Sequence, residues 1–217
     1  MLTPKKTDGR FIGIKADGLF HEKVSEGTEG AELRKYELQD GTKGEKWELL
    51  YKNVRGVHIT KIEFEDSDYG ENILTTLSDG ENEVIWAEGT NTNFGTDYMK
   101  KLPNINFAEK VDIVPYAFTD ENTGKDKRGI TIYQNGEKVQ NFFWKDGAVS
   151  NGMPFVSKED GEKYDKDDWK VHFISVKKFL TNYVKENIIP KFEGVVVLKS
   201  DEVEYPSEEI NPEDVPF

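Results

Sequence analysis

The chain contains no cysteine among its 217 residues, which excludes disulfide bonds and thiolate metal sites. Its three histidines, His21, His58 and His172, are far apart and give no zinc-ligand spacing. No apolar run approaches the roughly 18 residues that a membrane-spanning helix needs. The first residues lack the apolar core of a signal peptide. We therefore expect a cytoplasmic protein without a membrane contact, a metal or another cofactor.

Signals of catalysis are also scarce. The sequence has neither the glycine-rich GxxxxGK[ST] pattern that cradles phosphates nor the GxSxG pattern of a nucleophilic serine. Acidic pairs such as Glu63 and Glu65 could suggest acid–base chemistry. With 42 acidic residues in the chain, however, such pairs are expected from composition alone. The sequence predicts a protein that is not an enzyme.

What the chain has in excess is negative charge, which is concentrated at one end. The net charge is −13, and residues 201–217 hold seven acidic residues without a single Lys or Arg. Such a run cannot bury enough apolar surface to offset its ordering entropy, so we expect a disordered acidic tail. It ends on Phe217, whose ring and carboxylate could dock into a pocket of another protein.

The last five residues, Glu213, Asp214, Val215, Pro216 and Phe217, carry a family resemblance. They resemble the acidic tip of bacterial and phage single-stranded DNA-binding proteins, with Val215 in place of the usual isoleucine. The resemblance implies binding of single-stranded DNA without strong sequence preference during replication, recombination or repair. It also implies that the tip recruits replication or recombination proteins. Because the Gly/Pro/Gln-rich linker of bacterial members is absent, a phage-type relative in the host cytoplasm is the expectation.

Strand patterns before the tail predict one mainly β domain over residues 1–200. Three period-two strands are followed by a short helix, two more strands and a hairpin at Asn135-Gly136. This order predicts an OB-fold-like five-stranded barrel with the short helix between strands 3 and 4. The predicted elements are strands at 47–51 and 57–64 with a bend or bulge between them at Arg55-Gly56, strands at 73–77, 83–86, 111–118 and 129–133, a helix at 96–102 and a hairpin extension at 137–144.

Residues 175–187 predict a C-terminal amphipathic helix, because apolar residues recur there every three or four positions. We expect its apolar stripe to pack on the barrel, and a homodimer interface is the alternative. Residues 194–198 predict a last strand before the tail.

Exposed aromatic rings beside cations would let such a domain stack bases and contact phosphates. Alternation along the last two strands places their aliphatic residues in the core and leaves Tyr116, Phe118 and Tyr133 outside. We expect Lys100 and Lys101 to belong to a solvated helix face. The predicted DNA-binding residues are Trp47, Tyr51, Lys52, Arg55, Trp86, Phe94, Tyr116, Phe118, Lys125, Lys127, Arg128, Tyr133 and Trp144.

Two other functions remain open at this point. A β-sandwich carbohydrate-binding module also presents aromatic rings on a sheet, but it would bind no DNA in a salt-dependent way. A virion structural or assembly protein could use the acidic tail to dock on a neighbouring subunit, and it would assemble without DNA.

Overall fold

The computed structural model of the chain describes residues 9–37, 41–68 and 70–192. The acidic tail at 201–217 and the strand predicted at 194–198 lie outside the described residues. The strands are β1 (Arg10–Ile14), β2 (Phe20–Val24), β3 (Glu32–Glu37), β4 (Lys43–Tyr51), β5 (Val54–Ser67), β6 (Gly70–Ser78), β7 (Glu83–Gly89), β8 (Val111–Thr119), β9 (Asp126–Gln134), β10 (Glu137–Lys138), β11 (Trp144–Lys145) and β12 (Ala148–Val149). The helices are α1 (Asn93–Lys101), α2 (Lys158–Gly161) and α3 (Lys166–Asn187), with 3-10 turns at Leu102–Asn104 and Ile189–Lys191. Within the described residues, no helix is long and apolar enough to cross a bilayer.

Ten of the strands form one open, mixed sheet in the order β10-β9-β8-β5-β6-β7-β1-β2-β4-β3. Every neighbouring pair is antiparallel except β1 and β7, which run parallel. β11 and β12 form a separate hairpin. The sheet is strongly bent. Three strands, β5, β6 and β7, separate β1 from β8 in the sheet, yet the turn between β1 and β2 contacts β8. A Cβ added to Gly18, whose φ is +74°, would lie only 2.6 Å from the backbone nitrogen of Ala117.

The predicted five-stranded OB-fold-like barrel is wrong. The short helix and the other four predicted strands do form, but 47–51 and 57–64 lie in the separate strands β4 and β5, which are not neighbours, and all the strands belong to a ten-stranded sheet that does not close. β1 pairs with the edge of β7 that would have to pair with another strand to close a barrel. β2, β4 and β3 then continue the sheet beyond β1. The prediction missed β1 and β2 because their apolar pieces, Phe11–Ile14 and Leu19–Phe20, are too short to show a strand period.

One face of the sheet forms the core, and α1 covers it. Ile73, Thr75 and Leu77 alternate along β6 and are fully buried. From α1, the Tyr98 ring packs 4.4 Å from the Trp86 ring, while the two side-chain hydroxyls of Thr75 and Tyr98 hydrogen-bond at 3.2 Å. This packing fixes the position of α1 on the sheet.

The C-terminal half of α3 packs beside α1. Val176, Leu180 and Val184 are buried, and the Phe143 ring lies 5.5 Å from Phe179 and 5.0 Å from Tyr183. The predicted burial of this apolar stripe is confirmed, but the barrel on which it was expected to pack does not form. The helix starts nine residues before the predicted Ser175, at Lys166, because Asp165 and Asp168 form a capping box at its N-terminus.

Candidate nucleic-acid interface

A groove lies between the start of α1, the β11–β12 hairpin and the N-terminal half of α3. Its volume is about 990 Å³. Four large aromatic side chains and four lysines line it together with His172 and several aliphatic residues, and no described Asp or Glu lines it. The aromatic residues are Trp144, Phe155, Trp169 and Phe173, and the lysines are Lys100, Lys166, Lys170 and Lys177. We call these eight residues the lysine–aromatic groove.

Helix α3 supplies five of the eight residues from one side. The Trp169 and Phe173 rings are four residues apart, so they lie one turn from each other and stack with centroids 5.8 Å apart and an interplanar angle of 27°. Lys166, Lys170 and Lys177 follow the same side of the helix. They span about 16 Å along the axis, at 1.5 Å per residue. The result is a row of cations beside a pair of stacked rings.

The β11–β12 hairpin presents Trp144 from the opposite wall. Asp146 and Gly147 both have positive φ, 52° and 81°, as a two-residue hairpin turn requires. The turn pairs Trp144 with Val149, and both side chains line the groove. Trp144 is 51% exposed, whereas the preceding Phe143 is fully buried. This confirms that at least one ring of residues 142–144 belongs to the core.

The side-chain ammonium of none of the four groove lysines forms a salt bridge or hydrogen bond with a described residue, although Lys and Arg side chains form ion pairs elsewhere in the described structure. Burial lowers the pKa of Lys100, and the charge of nearby Asp97 offsets this only in part. The protein has removed part of the water around the Lys100 ammonium and pairs it with no carboxylate. An anion bound in the groove would therefore stabilise the charged form of Lys100. Lys100 was expected on a solvated face, and its half-buried position corrects that prediction.

Lys101 was assigned to the same solvated face, and this is also wrong. Its side chain is buried and donates hydrogen bonds to Asp97 at 2.5 Å and to the Ile130 carbonyl at 2.6 Å. Asp97 also accepts a hydrogen bond from the Ile130 backbone N–H at 2.7 Å. Lys101 and Asp97 thus fasten α1 to β9 and are not available to a ligand.

The predicted DNA-binding residues do not form one surface. Trp144 lies in the lysine–aromatic groove. Trp86 and Phe94 are core residues, 1% and 5% exposed, so they cannot stack on a base in this structure. Tyr51 is half-buried, and its hydroxyl donates to Glu22 at 2.7 Å beside Arg10. Four predicted residues thus lie in three different environments.

The other β4–β5 residues lie away from the groove. Trp47 is half-buried between its strand neighbours Val24 and Leu33. Lys52 and Arg55 are exposed at the connection from β4 to β5. A cleft between β3 and β4 is lined by Tyr36, Lys35 and Lys43, but both lysines are paired there with the carboxylates of Glu45 and Glu37.

The remaining predicted residues form a second aromatic surface on β8 and β9. Tyr116, Phe118 and Tyr133 are exposed, as the alternation predicted, and the rings of the first two lie 5.9 Å apart. Two of its cations are already paired, Lys127 with Asp120 and Arg128 with Asp126. Lys125 is exposed in the adjoining loop. This surface has fewer unpaired cations than the groove.

Sequence reasoning missed the groove residues of α3 and Phe155. The predicted helix begins at Ser175, so Lys166, Trp169, Lys170 and Phe173 fall outside it. The signal was present in the Asp-x-x-Asp capping pattern at Asp165 and in the spacing of Trp169 and Phe173 from Val176.

Comparison with protein-family models, with curated protein sequences and with solved structures finds no match to this chain. Residues 213–217, predicted to bind partner proteins, lie outside the described residues. The resemblance of this tip to single-stranded DNA-binding proteins therefore stays a prediction.

Proposed function

We propose that the protein binds single-stranded DNA in the lysine–aromatic groove. Bases stack on the rings of Trp144, Trp169 and Phe173, and phosphates contact Lys166, Lys170 and Lys177. The observation that carries this proposal is the meeting of four unpaired lysines and four large aromatic side chains in one groove of a chain whose net charge is −13. Stacking platforms beside a cationic track are the means by which proteins bind single strands without sequence preference.

The charge of the groove separates this proposal from a carbohydrate-binding site. Aromatic rings serve both kinds of ligand, but a neutral sugar gains nothing from lysines that have no described carboxylate partner. A polyanion gains both phosphate contacts and counterion release. The resemblance of residues 213–217 points to the same class of ligand, and the proposal keeps its expectation that the tip recruits replication or recombination proteins.

The test is a titration of the full chain with oligo-dT at two salt concentrations, followed by intrinsic tryptophan fluorescence. We expect quenching, and an association constant that falls linearly with salt on logarithmic axes. Of the four tryptophans, Trp144 and Trp169 line the groove, whereas Trp47 and Trp86 do not. Quenching should therefore persist in Trp47→Phe and be largely lost in the Trp144→Phe/Trp169→Phe double variant.

Four results would contradict or narrow the proposal. Absence of binding at low salt by the full chain would reject it. Quenching that survives in the double groove variant but disappears in Trp47→Phe would move the site to β4. An RNA oligonucleotide and a DNA duplex of equal length serve as competitors. Tighter binding of the RNA than of oligo-dT would show that the ligand is single-stranded RNA. Tighter binding of the duplex than of oligo-dT would reject the stacking mechanism.

A further inference from the structure

The outward side of α3 carries four exposed residues in a symmetric order. Asp167, Val171, Ile174 and Lys178 lie on one stripe of the helix, at steps of four, three and four residues. The two aliphatic side chains are 63% and 56% exposed. The opposite side of the same helix carries the buried residues Val176, Leu180 and Val184. The exposed stripe is therefore unpartnered within the described chain.

This stripe is complementary to itself in the antiparallel direction. It reads acid, aliphatic, aliphatic, base, so an antiparallel second copy presents the same residues in the reverse order. A two-fold axis crossing the helix midway between His172 and Phe173 would set Asp167 opposite Lys178 of the second copy. The same axis would set Val171 opposite Ile174 of the second copy. A two-fold interface requires this self-complementarity.

We propose that the protein forms a homodimer in which the stripes of two copies of α3 pack antiparallel. Each interface contains two aliphatic contacts at its centre and one Asp167–Lys178 ion pair at each end. Neither Asp167 nor Lys178 forms a salt bridge with a described residue, so both charges are available to the second copy. The four-three-four spacing is also the one that lets two helices mesh along a seam.

Neighbouring apolar surface enlarges the proposed contact. Phe155, Tyr164 and Val171 line a cleft of about 530 Å³ on the flank of the stripe. Phe155 is 64% exposed. Side chains from the second copy would cover this cleft and remove its apolar surface from water. Phe155 and Ile174 also line the lysine–aromatic groove, so the dimer contact borders that groove, whereas Trp169, Phe173 and the four groove lysines lie outside the stripe.

The test is sedimentation equilibrium of the full chain and of three charge variants. We expect the native chain to dimerise. Asp167→Lys and Lys178→Asp should each weaken dimerisation about tenfold or more, because each places like charges opposite each other at both ends. The double variant, Asp167→Lys with Lys178→Asp, restores the opposite pairing and should return to near the native dimerisation constant. Far-UV circular dichroism checks that all variants remain folded.

A native chain that stays monomeric at every concentration would overturn the proposal. The proposal would also be overturned if the single and the double charge variants had the same dimerisation constant as the native chain, because another surface would then form the contact. As a second measurement, Val171→Cys with Ile174→Cys should form an intermolecular disulfide on oxidation, since the chain has no other cysteine. Asn182→Cys, exposed near the far end of the same helix, is the control that should not cross-link. The oligo-dT titration of the charge variants separates this outcome from failure of the proposed DNA binding.

Discussion

The ring of Trp169 stacks on the ring of Phe173, with 5.8 Å between centroids and 27° between planes. The pair belongs to the exposed N-terminal half of α3, where no described core residue covers Phe173, which is 62% exposed. A stacked pair at a groove wall offers a preformed face for a third ring. A base inserted there would extend the stack without rearrangement of the protein.

Replacing Trp169 by alanine should weaken oligo-dT binding by about 5- to 150-fold. The range follows from the roughly 1–3 kcal/mol that one base–aromatic stack contributes. Fluorescence anisotropy of a labelled oligonucleotide measures the change. Phe118→Ala is the matched control, because Phe118 is an exposed ring on β8, away from the groove. If Phe118→Ala weakened binding more than Trp169→Ala, the binding surface would be β8–β9.

Removing one groove lysine should lower the salt dependence of binding as well as the affinity. Each phosphate contact contributes about 0.7 to the slope of log association constant against log salt for single strands. We therefore expect Lys170→Gln and Lys177→Gln each to reduce the slope by about that amount. Lys127→Gln should leave it unchanged, because Lys127 is paired with Asp120 on β8–β9. An unchanged slope for both groove variants would show that these lysines contact no phosphate.

The sequence predicted the local elements better than their assembly. Alternation located the strands around Ile113 and Ile132, and the Asn135-Gly136 dipeptide located its hairpin, because these signals act over neighbouring residues. The parallel pairing of β1 with β7 joins segments that are more than sixty residues apart, and local patterns carry no information on such a pairing. The groove was missed for the same reason, since Trp144 and Trp169 are 25 residues apart and come to line one groove only in the folded chain.

The ionised carboxylate of Glu48 should stabilise the folded state at pH values above its ordinary pKa of 4.5. Its side chain is nearly fully buried in β4 and contacts Lys15, Lys46 and His21, at 2.6, 2.9 and 2.9 Å. Burial raises the pKa of Glu48, but hydrogen bonds from Lys15, His21 and Lys46 outweigh it and hold the pKa at about 2, below its ordinary 4.5. An acid with a lowered folded pKa contributes stability above its ordinary pKa. That contribution is lost as pH falls from about 4.5 towards 2.

We therefore expect Glu48→Gln to lower the free energy of unfolding at pH 7 by about 3 kcal/mol, the value of the pKa difference. The variant should also lose less stability than the native chain between pH 5 and pH 3. Urea denaturation followed by circular dichroism measures both. Glu45→Gln is the control, because Glu45 forms an exposed ion pair with Lys35 on the same sheet edge and should change stability by less than about 1 kcal/mol. Equal effects of the two changes would contradict the prediction.

The pKa of Glu88 is raised by its surroundings, whereas that of Glu48 is lowered. Its side chain is buried at the end of β7, where one carboxylate oxygen accepts a hydrogen bond from the Thr92 hydroxyl at 2.7 Å. The other oxygen has no hydrogen-bond partner among the described residues. Burial raises the pKa of Glu88, and the Thr92 hydroxyl, the Trp86 indole and the nearby backbone N–H groups of Ile14 and Gly89 offset this only in part. An acid with a raised folded pKa stabilises the fold below its ordinary pKa and destabilises it once the carboxylate ionises.

Glu88→Gln should consequently raise the free energy of unfolding at pH 7, on the order of 1 kcal/mol, because the amide keeps a polar contact with Thr92 without a buried charge. At pH 4 the native carboxyl is largely protonated, so the gain should shrink. Glu83→Gln is the control, since Glu83 is exposed on the same strand and its replacement should change stability by less than about 0.5 kcal/mol. Urea denaturation at the two pH values measures the difference. A loss of stability at pH 7 would show that the ionised Glu88 makes a contact that the amide cannot replace.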